Sequence, residues 1–139
     1  MFEPYEASLW ALLLMVFTVI CQSLIATGAH RRQKKYVPGV VDENLGHASF
    51  VFRSHRTFQN SLENAPFMLF TGIVGILAGL NPTHLAVCLW IFAAARIAHM
   101  LLYYKIATER NPSPRSYFYV IAMLSNLVLV VMIAVHMVG

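Results

Sequence analysis

The sequence predicts an all-α integral membrane protein with four transmembrane helices packed as a bundle. Of its 139 residues, 58% are hydrophobic and only 12% are charged, and the mean hydropathy is +0.63. About one-quarter of the residues in a soluble domain are charged. Two long uncharged stretches near the ends of the chain flank two shorter ones. We therefore expect one domain over residues 1–139, with helices at roughly 6–29, 50–80, 82–105 and 114–138.

The first and last helices are long enough to cross a membrane unaided. The stretches from Ala7 to Ala29 and from Tyr117 to Gly139 each contain 23 uncharged residues. A hydrocarbon core of about 30 Å needs about 20 helical residues. Pro114 suits the first turn of the last helix, where a proline removes no helical hydrogen bond.

The two middle helices can cross only if they include polar residues. The uncharged run 64–80 spans about 25 Å as a helix and the run 83–95 only about 20 Å. Asn81 and Pro82 lie between these two runs and suit the N-cap and the first residue of a helix. They therefore predict a tight turn between the second and third helices. The polar segment HRTFQNSLENAP, residues 55–66, is therefore predicted to be helical rather than a loop.

Helical spacing gathers the polar residues into stripes, because residues three and four apart share a helix face. One carboxylate, that of Glu63, faces a surplus of arginines, which predicts a pocket for an anionic guest. Neutral hydrogen-bonding groups beside it favour a small peptide-like ligand over a bare ion. A simpler alternative is a structural Glu63–Arg96 ion pair. The stripes are Arg53, Arg56, Asn60 and Glu63 on the second helix, Arg96, His99 and Tyr103 on the third, and Arg115 and Tyr119 on the fourth, next to Ser116.

Other polar residues are expected to have simpler roles. Arg53, Lys105 and Arg110 are expected to extend to the membrane interface, and His47 and His55 to be solvated. We also expect Gly75 and Gly79 to let a neighbouring helix approach closely.

The basic residues predict the topology and exclude other partners. They concentrate in the first and third connections, which four spans place on one side, and the positive-inside rule makes that side cytoplasmic. The net charge of +4 is explained in this way, so we expect no nucleic-acid partner. Cys21 and Cys88 lie in apolar segments without metal-ligand spacing, and no metal site is expected.

Three segments together resemble one family, the membrane-associated proteins in eicosanoid and glutathione metabolism (MAPEG). RTFQNSLENAP resembles its Arg-x-x-x-Asn-x-x-Glu-x-x-Pro signature. AARIAHMLLY resembles the Arg-x-x-His-x-x-x-Tyr element of the branch that contains microsomal glutathione transferases and microsomal prostaglandin E synthase. PSPRSYFY resembles the start of the last helix in that family.

The resemblance implies a homotrimer that binds glutathione at subunit interfaces, near the cytosolic face of a bacterial inner membrane or of the endoplasmic reticulum. It implies thiol activation by Arg115, with Ser116 as the alternative, and roles in detoxification or lipid metabolism. The other partners would be membrane lipids and lipophilic electrophiles. The residues that it implies for glutathione binding are Arg31, Arg56, Asn60, Glu63, Arg96, His99, Tyr103 and Tyr119.

The expected function is a microsomal-type glutathione transferase, with peroxidase or isomerase activity as open additions. A guanidinium favours a thiolate over a thiol, and lowering the thiol pKa by about two units is worth roughly 2.7 kcal/mol. Phe58 and Gln59 depart from the pattern of relatives with specific eicosanoid products, which favours a general transferase. The alternatives are a non-catalytic lipid-binding scaffold of the same fold and a small multidrug transporter.

Overall fold

The computed structural model describes residues 3–139, and this part of the chain folds into four long helices. A short 3₁₀ turn, Glu3–Tyr5, leads into α1, and no strand is present in the described residues. The α3 helix packs against all three other helices, and α1 also packs against α2. The four helices are α1 (Glu6–Arg31), α2 (Phe50–Leu77), α3 (Pro82–Lys105) and α4 (Pro114–Val138).

Hydrogen bonds at one end of the bundle fix its up-down-up-down order. The Tyr5 hydroxyl donates to the carbonyl of Leu80 at 2.9 Å, and Nε2 of His136 lies 3.0 Å from the carbonyl oxygen of Ala78. The start of α1, the α2–α3 turn and the end of α4 therefore meet at this end. The first and third connections lie at the other end, and with the adjoining helix ends they carry seven of the ten Lys and Arg residues.

Three of the helices are long and apolar enough to cross a membrane: Glu3–Arg31, Pro82–Lys105 and Pro114–Val138. The α2 helix is as long, but polar residues fill its first half. It still runs the full height of the bundle, since it carries the chain from the end of α1 to the start of α3. The segment 55–66 is helical throughout. The fold is thus the all-α membrane bundle that the composition predicts.

Apolar side chains that face inwards make the core, and apolar side chains on the outside match a lipid environment. Met15, Met68, Leu89 and Phe92 are at most 1% exposed, while large residues such as Phe17 remain more than half exposed. In water such a surface would be costly, whereas in a bilayer it lies against acyl chains of similar polarity.

Gly75, within α2, and Gly79, just after its end, have different roles. A Cβ atom on Gly75 would lie 2.9 Å from Cδ1 of Leu85 on α3, so this glycine does permit close packing. Gly79 has a φ of +73° and open space around its Cα. Its amide donates to Ile76, and that of Leu80 to Gly75, which is the Schellman pattern of a helix end. The expected packing role of Gly79 is therefore wrong, and α2 ends at Leu77 instead of near residue 80.

Candidate functional site

A buried arginine lies at the centre of the polar half of the bundle. Arg96 is 2% exposed, although it lies about 21 Å along α3 from Pro82. Its Nη2 donates to Oδ1 of Asn60 on α2 at 2.7 Å, with Oγ of Ser61 at 3.4 Å. Its Nε and Nη1 are buried without a hydrogen-bond partner. A guanidinium at this depth with free donors is costly unless a ligand or water accepts from it.

A second guanidinium follows along the same side of the bundle. Arg115, in the first turn of α4, lies over the ring of Tyr103 with its Cζ 3.9 Å from the ring centroid. Its Nη2 is 3.2 Å from Nε2 of His47, and its Nη1 is buried without a partner. His99 lies between Arg96 and Tyr103 along α3. It is 4% exposed, and its ring meets that of Tyr103 edge-on at 5.8 Å between centroids.

Ser116 has a structural role in capping α4. Its Oγ accepts from the amide of Ser113 at 3.3 Å and lies 3.2 Å from the Ser113 hydroxyl. Together with the Ser113 side chain these contacts form a capping box, which satisfies backbone donors at the start of the helix. The oxygen of Ser116 is thus already engaged as an acceptor, whereas Arg115 keeps a free charged donor.

Two of the cavities at this end of the bundle contain residues of the predicted site. One, of about 550 Å³, is bounded by the first and third connections and reaches Arg115 and Ser116. The other, of about 350 Å³, lies between α1 and α2 and is lined by His30, Arg31 and His55, among others. The first contains the group expected to act on a thiol. The second contains the arginine of α1 that was expected to bind the same ligand.

The structure therefore brings together only part of the set implied by the family resemblance. Arg96 binds Asn60, and Tyr103 contacts both His99 and Arg115. Both groups lie along one buried side of α3, and we call these five residues the arginine cluster. The other four binding candidates lie outside its contacts, and all four are exposed. They are Arg31, at the other cavity, Arg56, Glu63 and Tyr119.

The expected Glu63–Arg96 ion pair does not form. Glu63 is exposed, and Asn60 takes the position of partner to Arg96. Across residues 3–139, the one contact of 4.0 Å or less between a basic and an acidic side chain joins His47 to Glu109. The amide oxygen of Asn60 cannot neutralise a guanidinium, so the cluster keeps its positive charge.

His55 lines the α1–α2 cavity and is partly exposed. Two other expectations about polar residues are wrong. His47 contacts Tyr103 and Arg115 instead of being solvated. Arg53 donates to the backbone carbonyls of His47 at 2.6 Å, Ala48 at 2.9 Å and Tyr104 at 3.3 Å rather than extending to solvent. Through these hydrogen bonds Arg53 holds the end of the first connection against α2 and α3.

His47 is the site residue that the sequence does not reveal. Helical periodicity relates residues within one helix, and His47 lies in a connection, where no such spacing applies. The Gly-His pair before α2 carries no recognisable signal by itself.

Comparison with known proteins identifies one family. The profile of the MAPEG family matches residues 7–135, from the start of α1 almost to the end of α4. No individual curated protein matches the chain at a significant level.

Proposed function

Because the chain belongs to the MAPEG family, we propose that it is a microsomal-type glutathione transferase acting on lipophilic electrophiles. The family includes glutathione transferases and related proteins, and its members generally bind glutathione. We assign the glutathione site to the arginine cluster, because its positive charge and free hydrogen-bond donors suit a small anionic ligand.

One observation carries the proposal: two guanidinium groups have buried, unpartnered donors on the same side of the bundle. These donors are Nε and Nη1 of Arg96 and Nη1 of Arg115. Within the described residues, no carboxylate lies within 4.0 Å of either group. Buried donors are normally satisfied, so the cluster fits a ligand that brings negative charge and several acceptors. Glutathione has two carboxylates, peptide carbonyls and an ionisable thiol.

Each residue would bind the part of glutathione that complements its charge. Arg31 and Arg56 would hold carboxylates, and Glu63 would accept from the ammonium group. Asn60 and Tyr103 would position peptide groups. Further hydrogen bonds to the ligand would come from Arg96, His99 and Tyr119.

When bound, glutathione supplies the sulfur nucleophile. Arg115 would stabilise the thiolate through its charge, and its position in the first turn of α4 adds the positive end of the helix dipole. A guanidinium group stays protonated at any depth in the bundle, whereas a buried amine can lose its proton. Ser116 could contribute at most one hydrogen bond, because a hydroxyl has a single proton, and it carries no charge. Arg115 is therefore the better supported activating group.

A homotrimer in the membrane is part of the proposal. Arg31, Arg56, Glu63 and Tyr119 lie outside the contacts of the arginine cluster within one chain, and a neighbouring subunit could bring such groups together. Lipophilic acceptors would reach the site from the bilayer, and glutathione from the cytosol if the basic connections face it. The membrane would be a bacterial inner membrane or the endoplasmic reticulum.

Conjugation of glutathione to a generic aryl halide by the detergent-purified protein tests the proposal. The halide leaves as the carbon–sulfur bond forms, so product and halide should appear in equal amounts. Reduction of an organic hydroperoxide in parallel would reveal an added peroxidase activity. Purified protein that binds glutathione but catalyses neither reaction would favour the non-catalytic scaffold instead.

A further inference from the structure

We propose that His47 is a positioning residue that holds Arg115 in the orientation needed to stabilise a thiolate. This inference rests on the proposed function and adds to it a residue outside the helical stripes. His47 lies in the first connection, three residues before α2 begins. It reaches into the arginine cluster from outside the four helices.

The chemistry of the contact fixes the tautomer of the histidine. A guanidinium has donors but no acceptor, so Nε2 of His47, 3.2 Å from Nη2 of Arg115, is the acceptor. The ring proton of neutral His47 is then on Nδ1. That nitrogen faces Oε1 of Glu109 at 3.7 Å, and the carboxylate favours a proton on this side. The Tyr103 hydroxyl, 3.1 Å from Nε2, is a second donor towards the same lone pair.

His47 is itself held from several directions. Its ring meets Phe52 edge-on at 5.0 Å between centroids and stacks on Tyr103 at 5.9 Å. Its backbone carbonyl accepts from Arg53 at 2.6 Å. A loop residue fixed in this way from α2, α3 and the third connection can orient a neighbour almost as firmly as a helical residue can.

The consequence for Arg115 is a guanidinium restrained on two sides. The Tyr103 ring lies against its face at 3.9 Å, and His47 accepts from Nη2, which leaves Nη1 buried and free. Without His47 the guanidinium could rotate about its side-chain torsions and would hold the thiolate less often. Since a hydrogen bond to a charged group is involved, we expect about a tenfold loss of kcat, with little change in KM for glutathione.

Three substitutions of His47 test whether its hydrogen-bond acceptor matters independently of the size of its ring. In His47→Gln the amide oxygen can reach the position of Nε2. In His47→Asn the shorter side chain reaches only that of Nδ1, and His47→Leu provides no acceptor. Thiolate absorbance of the bound glutathione and kcat should stay near the wild-type values in the glutamine variant and fall in the other two. His84→Leu, at the opposite end of the bundle, is the matched control and should change neither.

A second measurement does not depend on the reaction. Phenylglyoxal modifies accessible guanidinium groups, and mass spectrometry of the peptide that contains Arg115 gives its labelling rate. We expect this rate to rise several-fold in His47→Leu and His47→Asn but not in His47→Gln.

The two measurements distinguish the two proposals. If the wild-type protein forms no thiolate but Arg115 labelling follows this pattern, the proposed function fails while the positioning role of His47 stands. If thiolate forms in every variant, and neither kcat nor labelling differs between the glutamine and leucine variants, the positioning role is overturned.

Discussion

At the residue scale, the proposed chemistry depends on which group stabilises the thiolate. Arg115 carries a full charge and a free donor, whereas the hydroxyl of Ser116 is neutral and already part of the α4 capping box. We expect Arg115→Ala to raise the pKa of the bound thiol by about two units while glutathione still binds. An ultraviolet thiolate titration of the purified protein with glutathione measures this directly.

Ser116→Ala is the matched comparison for that titration. It removes a hydroxyl from the same turn, so it should lower the stability of α4 by about 1 kcal/mol and keep most of the thiolate signal. The opposite result, with the signal lost in Ser116→Ala and retained in Arg115→Ala, would show that the hydroxyl is the activating group.

Glu63 is expected to bind the ligand rather than to stabilise the fold. It is exposed and makes no ion pair within the described part of the chain, so Glu63→Gln should leave thermal stability unchanged. The same variant should weaken glutathione binding by about tenfold, because the ligand ammonium loses its carboxylate partner. Isothermal titration and thermal unfolding in the same detergent test both halves. Unchanged affinity would mean that Glu63 is only a surface charge.

Residue identities in the cluster followed from helical spacing, but their contacts did not. The 3-4 step of Arg96, His99 and Tyr103 does place these residues on one buried side of α3. That Asn60 rather than Glu63 pairs with Arg96 depends on the rotation of α2 against α3, which is set by packing of the whole bundle. Spacing within one helix carries no information about that rotation.

At the scale of elements, the end of α2 depends on one glycine. Gly79 has a φ of +73°, where any other L-residue except asparagine or aspartate is strained. Gly79→Ala should therefore reduce the free energy of unfolding by about 1 kcal/mol. Gly28→Ala is the control, since Gly28 is helical and has open space around its Cα. Thermal unfolding in detergent should show a lower midpoint only for Gly79→Ala; equal midpoints would mean that the Schellman turn is dispensable.

The helices themselves were largely readable from the sequence. Two long uncharged stretches mark α1 and α4, and Asn81, whose Oδ1 accepts from the amides of Thr83 and His84, marks the start of α3. The polar half of α2 was deduced from the shortness of its apolar half rather than from its composition. The connections could not be deduced, because their contacts join residues distant in sequence, such as His47 and Arg115.

At the scale of the whole molecule, a single chain leaves the candidate binding residues divided between two places. Arg31 lines the α1–α2 cavity, and Arg115 lines the other. Closed three-fold symmetry would repeat one contact around a ring, so each site could take Arg31 from one subunit and Arg115 from the next. Native mass spectrometry in mild detergent should therefore show three chains. A monomer that binds glutathione with full affinity would exclude this arrangement.

Mixed trimers test whether a site is shared between subunits. If Arg31→Ala and Arg115→Ala chains are co-expressed equally, every mixed trimer contains one interface at which both arginines are intact. With random assembly, about a quarter of the wild-type activity should return at low glutathione concentration, where loss of Arg31 acts through KM. Each variant expressed alone should remain near its own low rate. If the mixture shows only the average of the two single variants, both arginines serve the same subunit's site or Arg31 serves none.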